Sequence, residues 1–396
     1  MTNRIVAAML AAFAFALLPG RAPAQSAGGG EPAAQLFAAG DFAAAAAAYE
    51  RALTSNPRDA DAQLGLGRIR LYENDLANAE PLLRAAANAD PANRGAAALL
   101  EELQRRHAEA AKPVSLAGAS TDVPFVTADP LPVVHATIDG KSGAFVIDTG
   151  GTVDLEPAFA QALGLKVTSH AVGTFAGGKQ AAVGSSSAAS IALGGASTSD
   201  VVVDVLPLGL SKMFGMPIDG VIGTTLFERF LVTIDYPHAR LVIRKRGAEQ
   251  SQAFIDAARD AYATIVPCWL VGDHYVFARA SVNDAPSGLF LFDSGLAGGG
   301  LLPSPALISA AKLQIDLAKT STGQGGGGAT AVVPFVAGTI AVDDAEQQNV
   351  PGIYTPEGTP FAAFPFTAWG LISDLYLRHY AYTVDFDAMR LVLSPA

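Results

Sequence analysis

The stretch Gly143-Ala144-Phe145-Val146-Ile147-Asp148-Thr149-Gly150 decides the reading of this chain because it occurs twice. Its second copy, Gly288-Leu289-Phe290-Leu291-Phe292-Asp293-Ser294-Gly295, lies 145 residues downstream. Each copy is a short run apolar on both faces, which predicts a buried strand. An aspartate then emerges from the buried element into a turn. Glycine two residues on lets that turn be tight, and the Thr or Ser between them offers a short hydroxyl to a facing loop.

The duplication continues outward. Thr233, Ile234, Asp235, Tyr236, Arg240, Leu241 and Val242 correspond to Thr383, Val384, Asp385, Phe386, Arg390, Leu391 and Val392, now 150 residues apart. Gly220-Val221-Ile222 corresponds to Gly370-Leu371-Ile372, and the glycine-rich stretch 174–178 to 324–328. The economical reading is two similar halves, 123–247 and 262–396, joined by 248–261. Their short β-branched and apolar runs, separated by turn residues, predict that both are mostly β. A pseudo-twofold axis relating two such halves brings Asp148 and Asp293 together. Like charges at close range do not both ionise easily, so the pair holds one proton between them. One carboxylate then activates a water while the other polarises a carbonyl. Asp235 and Asp385 also recur, inside strand-like segments before turns, and read as structural hairpin residues.

Residues 122–395 thereby resemble the retropepsin/pepsin clan of aspartic proteases in a bacterial, two-lobed form. The resemblance implies a mainly β domain of two retropepsin-like β-barrel lobes, with Asp148 and Asp293 as catalytic aspartates and Thr149, Gly150, Ser294 and Gly295 as catalytic-loop support. Val221-Ile222-Gly223 resembles the element that backs the catalytic loop, and the glycine-rich stretches 174–178 and 322–328 resemble flap hairpins. The second half departs from the pattern: Ser373 stands in place of glycine, and Leu296 and Ala297 follow its loop. The activity implied is that of an aspartic endopeptidase on a peptide or protein substrate, with no metal and no organic cofactor. The alternatives are a catalytically degenerate scaffold that binds peptides, and an adaptor whose role lies in the residues upstream. The phosphate loop of the actin and sugar-kinase superfamily resembles 148–152 as well, but calls for alternating β/α units after it.

Upstream, residues 32–112 are alanine-rich with helical spacing. Phe42, Ala45, Tyr49, Ala52 and Pro57 recur as Leu76, Ala79, Leu83, Ala86 and Pro91, each pair 34 residues apart, with Gly67 where two helices must approach. This resembles the tetratricopeptide repeat, so a small all-α domain precedes the β lobes, with 92–111 as its capping helix. The expected linkers are 25–31 and 113–122. The helices are expected to bind a protein partner and to be separable from the lobes.

Residues 1–24 read as a secretory signal: Arg4 ahead of an apolar run, a Pro19-Gly20 break, and Ala22-Pro23-Ala24 before the cut. The expectation is an exported protein, periplasmic or secreted, with no stable membrane span after cleavage. Composition agrees with a folded, exported chain. Of 396 residues, 50% are hydrophobic and 16% charged, which excludes a disordered solvating chain. The net charge of −11 argues against nucleic acid as a partner. The single cysteine, Cys268, cannot build a disulfide framework and reads as a core thiol. The six histidines are scattered outside any zinc spacing, no serine sits in G-x-S-x-G, and the G-x-G-x-x-G at 323–328 has no strand–turn–helix around it.

Overall fold

A computed structural model describes residues 31–174, 180–325 and 328–395. The expected signal segment and the tips of both glycine-rich stretches, 175–179 and 326–327, lie outside these residues.

Five helices come first: α1 (Glu31–Ala38), α2 (Phe42–Ser55), α3 (Ala60–Tyr72), α4 (Leu76–Ala89) and α5 (Arg94–Ala110). The 34-residue period is visible in their caps. Asp41 and Asp75 accept the N–H groups of Ala44 and Asn78, while Asp59 and Asn93 accept those of Ala62 and Ala96. Each cap satisfies a first-turn donor that has no partner inside its helix. Small residues set the packing distance. A Cβ on Gly65 would enter the ring of Tyr49, and one on Gly67 would come within 2.9 Å of Leu83 Cδ2.

The remainder is two mainly β lobes. In the first, the strands run in the spatial order Val114–Leu116, Ala196–Val205, Val153–Leu155, Gly220–Gly223, Lys141–Asp148, Val133–Ile138, Gln180–Leu193 and Ser169–Thr174. Lys141–Asp148 pairs parallel with Gly220–Gly223, which pairs antiparallel with Val153–Leu155. The second lobe repeats this: Gly288–Phe292 pairs parallel with Ala368–Ile372, which pairs antiparallel with Leu301–Pro303. A shared sheet joins the lobes, where Leu231–Asp235 and Tyr380–Asp385 run antiparallel with Thr233 directly opposite Thr383. These two residues are counterparts in the duplication, so the pseudo-twofold axis passes between them; their hydroxyls are 2.7 Å apart. Residues 248–261 between the lobes are largely the helix Ala248–Asp260.

Residues 113–122 are not loose chain. Val114–Leu116 pairs with Ala196–Val205, and Ser120–Pro124 with Arg240–Arg244 at the edge of the shared sheet. The helices, in turn, are packed against the second lobe. Phe37, Phe42 and Tyr72 enclose Phe366 of the second lobe at ring-centroid distances of 6.1, 5.0 and 6.4 Å, and Phe42 also meets Trp269 edge-on at 5.4 Å. The backbone N–H of Thr367 donates to Ala38 O, and Asn74 Nδ2 donates to Phe386 O. The cause is an apolar face on the second lobe, including Trp269, Leu289, Phe364 and Phe366, that the lobe's own loops do not cover; the helices bury it.

Candidate active site

The strand ending in Asp148 is buried on both faces. Phe145 and Ile147 join the main core, whereas Val146 faces a separate apolar cluster with Val133, Val183, Leu208 and Val221. In the second half Phe290 and Phe292 join the main core, and Leu289 and Leu291 face the cluster shared with the helices. Because both strands end at the axis, both aspartates arrive there; Asp148 is 2% and Asp293 0% exposed.

The Gly150 N–H donates to Asp148 Oδ1 at 2.9 Å and to Asp293 Oδ1 at 3.2 Å, one donor bridging the two carboxylates. Gly295 N–H donates to Asp293 Oδ1 at 2.7 Å. A Cβ on Gly150 would fall inside the Asp293 carboxylate, and one on Gly295 inside that of Asp148. The glycines are therefore required by the opposite lobe's aspartate, a closer constraint than the turn itself. Thr149 and Ser294 sit below, each hydroxyl bound to the other loop.

Both carboxyls are pushed up. Burial raises Asp148 well above the ordinary carboxylate range, and the charge of Asp293 adds to it. Burial also raises Asp293, but hydrogen bonds, including those from Gly295 and Gly150, work against the rise. Asp293 accepts two backbone N–H groups and Asp148 one, so the negative charge is better held on Asp293 and the shared proton on Asp148.

The backing elements differ in a way that explains the departures. In the first lobe Gly223 is obligatory, since a Cβ there would strike the carbonyls of Gly151 and Asp148. Thr224 then reaches Thr149 O through its hydroxyl at 2.7 Å. In the second lobe Ser373 replaces the glycine, and its hydroxyl donates to Asp293 O while accepting from Leu296 N–H at 3.1 Å. The substitution thus ties the second loop down. Leu296 is fully buried in the cluster beneath the helices, and Ala297 in the cluster of the first lobe.

Two polar groups near the dyad escaped the sequence reading. Asp154 is 3% exposed and accepts from Thr152 Oγ1 at 2.5 Å. Asp273 Oδ1 and His274 Nδ1 are 2.5 Å apart on the turn before Tyr275–Val282. The recurring Asp235 and Asp385 do serve hairpins, accepting from His238 N and Arg240 Nε in one case and from Asp387 N and Ala388 N in the other. Cys268 is buried, and burial pushes its thiol up. Among the described residues no group of three or more His, Cys, Asp or Glu is placed to hold a metal ion, and no helix is long and apolar enough to cross a membrane.

The fold is an all-helical region of tetratricopeptide-repeat type followed by a mainly β domain with barrel-like sheets, consistent with a retropepsin-like fold. Residues 134–226 match the family described as aspartyl protease, and residues 35–94 match the tetratricopeptide repeat. Among solved structures, a retropepsin-like aspartic protease from Rickettsia conorii is similar, at 17% identity and a TM-score of 0.24, over 34% of this chain and 94% of that one. No curated protein matches the chain significantly.

Proposed function

We propose that the chain is an exported aspartic endopeptidase. The observation that carries the reading is the Gly150 N–H shared between Asp148 and Asp293, which holds two buried carboxyls within one hydrogen-bonding unit. In the singly protonated pair Asp293 is the base and Asp148 the acid. Water attacks the peptide carbonyl carbon as Asp293 takes its proton, and Asp148 gives its proton to the carbonyl oxygen. The tetrahedral gem-diol then collapses: Asp293 gives the proton it took from water to the leaving nitrogen, the C–N bond breaks, and a gem-diol hydroxyl returns a proton to Asp148 as the carboxylic acid product forms. Export is supported by the signal-like residues 1–24. The helices support a role in protein contact, and one such contact is with the chain's own second lobe. Digestion of a peptide library by the purified protein, from acid to neutral pH, tests the reading. Specific cleavage that disappears in Asp148→Asn is the expected result, and a folded protein inert at every pH would count against it.

A further inference from the structure

The turns that carry the two aspartates are closed in different ways. The first closes on itself: Gly151 N–H donates to Asp148 O at 3.2 Å. Gly223 lies against that turn without a side chain, because a Cβ there would come within 2.6 Å of Asp148 O. In the second lobe the counterpart of Gly151 is Leu296, and that of Gly223 is Ser373. Leu296 N–H donates to Ser373 Oγ at 3.1 Å, and the same hydroxyl donates to Asp293 O. A serine hydroxyl is thus inserted into the turn's own hydrogen bond, accepting on one side and donating on the other.

The loops are also backed differently. Thr224 ties the first loop by donating from its hydroxyl to Thr149 O at 2.7 Å. Its counterpart, Asp374, turns instead to Arg378. Ser373 supplies a tie to the second loop, and Leu296 anchors the far end of the turn in the apolar cluster beneath the helices. Ser373 and Leu296 are both 0% exposed, so a donor or acceptor freed here meets no water. Between these anchors Gly295 N–H is delivered to Asp293 Oδ1 at 2.7 Å, against 2.9 Å for Gly150 N–H on Asp148 Oδ1.

We propose that Ser373 is a positioning residue for the dyad: its hydroxyl, inserted in the second turn, keeps Gly295 N–H on Asp293 and so makes Asp293 the carboxyl that carries the charge. A donor held on a carboxylate favours its ionised form. That Asp293 then acts as the base rests on the aspartic-protease reading; where the charge sits does not. The other titratable groups whose charges or phenols face the pair are Asp154 in 153–155, His274 on the turn before 275–282, Tyr275 and Tyr382. A change at Ser373 replaces none of them. The test uses the full chain and two readouts. One is the pH profile of kcat on a cleavable peptide. The other is the titration of labelled aspartate carboxyls by carbon NMR without substrate, assigned with Asp148→Asn and Asp293→Asn. Ser373→Ala keeps the Cβ and removes only the hydroxyl. It should lower kcat about tenfold with KM little changed, and move the acid limb and the first carboxyl titration up by about one pH unit. Ser373→Gly lets the second turn close directly, as the first does, and should move both in the same direction by less. If Ser373→Ala does not fold, Ser373→Gly carries the test. Folded variants whose acid limb and carboxyl titration stay at the parental pH overturn this inference, whatever their kcat. A folded parent that cleaves nothing overturns the protease reading, and the carboxyl titration then decides the placement of the charge by itself.

Discussion

Thr149 and Ser294 bind each other reciprocally across the lobe boundary: the backbone N–H of each donates to the hydroxyl of the other, both at 3.0 Å. Each hydroxyl then passes its own proton back, Ser294 to Ile147 O at 3.2 Å and Thr149 to Phe292 O at 3.4 Å. The lobes are thus locked directly beneath the carboxylates, in a region closed to water, where an unpaired donor is costly. This lock ties together the two loops that carry Asp148 and Asp293.

Removing half of the lock should leave a buried N–H unpaired. Ser294→Ala deprives Thr149 N–H of its acceptor and is expected to destabilise the protein by about 1–3 kcal/mol. Thr149→Val should do the same at Ser294 N–H. Urea unfolding of each variant checks this, and a midpoint equal to the parent's would show that the hydroxyls are dispensable.

The dyad variants should behave as one unit. Asp148→Asn and Asp293→Asn are each expected to abolish cleavage, by a factor on the order of a thousand or more, with the double variant no worse. Activity of the parent should follow a bell in pH. It needs the singly protonated pair and falls once both carboxyls have ionised. The observation against this would be Asp293→Asn protein cleaving at the parental rate.

A chain beginning at Val114 should fold poorly, because Trp269, Leu289 and Phe366 would lose their cover. The milder test is Phe366→Ala in the full chain, expected to cost about 3–5 kcal/mol because three helix rings and Phe277 surround that side chain. Thermal unfolding reads both. A soluble, cooperatively folded 114–396 fragment would restore the view of an independent helical module.

What was legible in the sequence was contiguous. Each run of strand, aspartate, hydroxyl residue and glycine lies within eight residues, and the offsets of 145 and 150 exposed the pseudo-twofold that pairs them. The helical repeat was legible for the same reason, since its small and capping positions recur at a fixed period. Ser373 looked like a departure because the glycine rule concerns space; the hydroxyl's bonds to Asp293 O and Leu296 N–H come from groups 80 and 77 residues away. Arg106 was invisible for a stronger reason. On an isolated helix it is an ordinary polar residue four positions from Glu102, and only docking buries it against Leu270 and Gly272.

The last prediction concerns stability against pH and turns on Asp154. Its carboxyl is buried in the strand Val153–Leu155 and pushed up to about 7, mainly by burial; the Thr152 hydroxyl opposes the rise and Asp204 adds to it. The unfolded chain ionises an aspartate near about 4. The native state therefore holds this proton more tightly than the unfolded state. Its contribution to stability is complete below about pH 4 and is lost as pH rises through about 7. Asp374, also raised to about 7 by burial, works in the same direction. Asp273 is lowered because its His274 partner outweighs burial, so its contribution is lost only toward more acid pH, outside that window. Asp154→Asn removes one ionisation without removing the acceptor for Thr152. At pH 8 the variant should be more stable than the parent by on the order of a few kcal/mol, and at pH 4 nearly equal. Denaturant midpoints for both proteins at pH 4, 6 and 8 give the comparison. Two curves that stay parallel across the range would mean that Asp154 ionises in the folded protein as readily as in the unfolded chain.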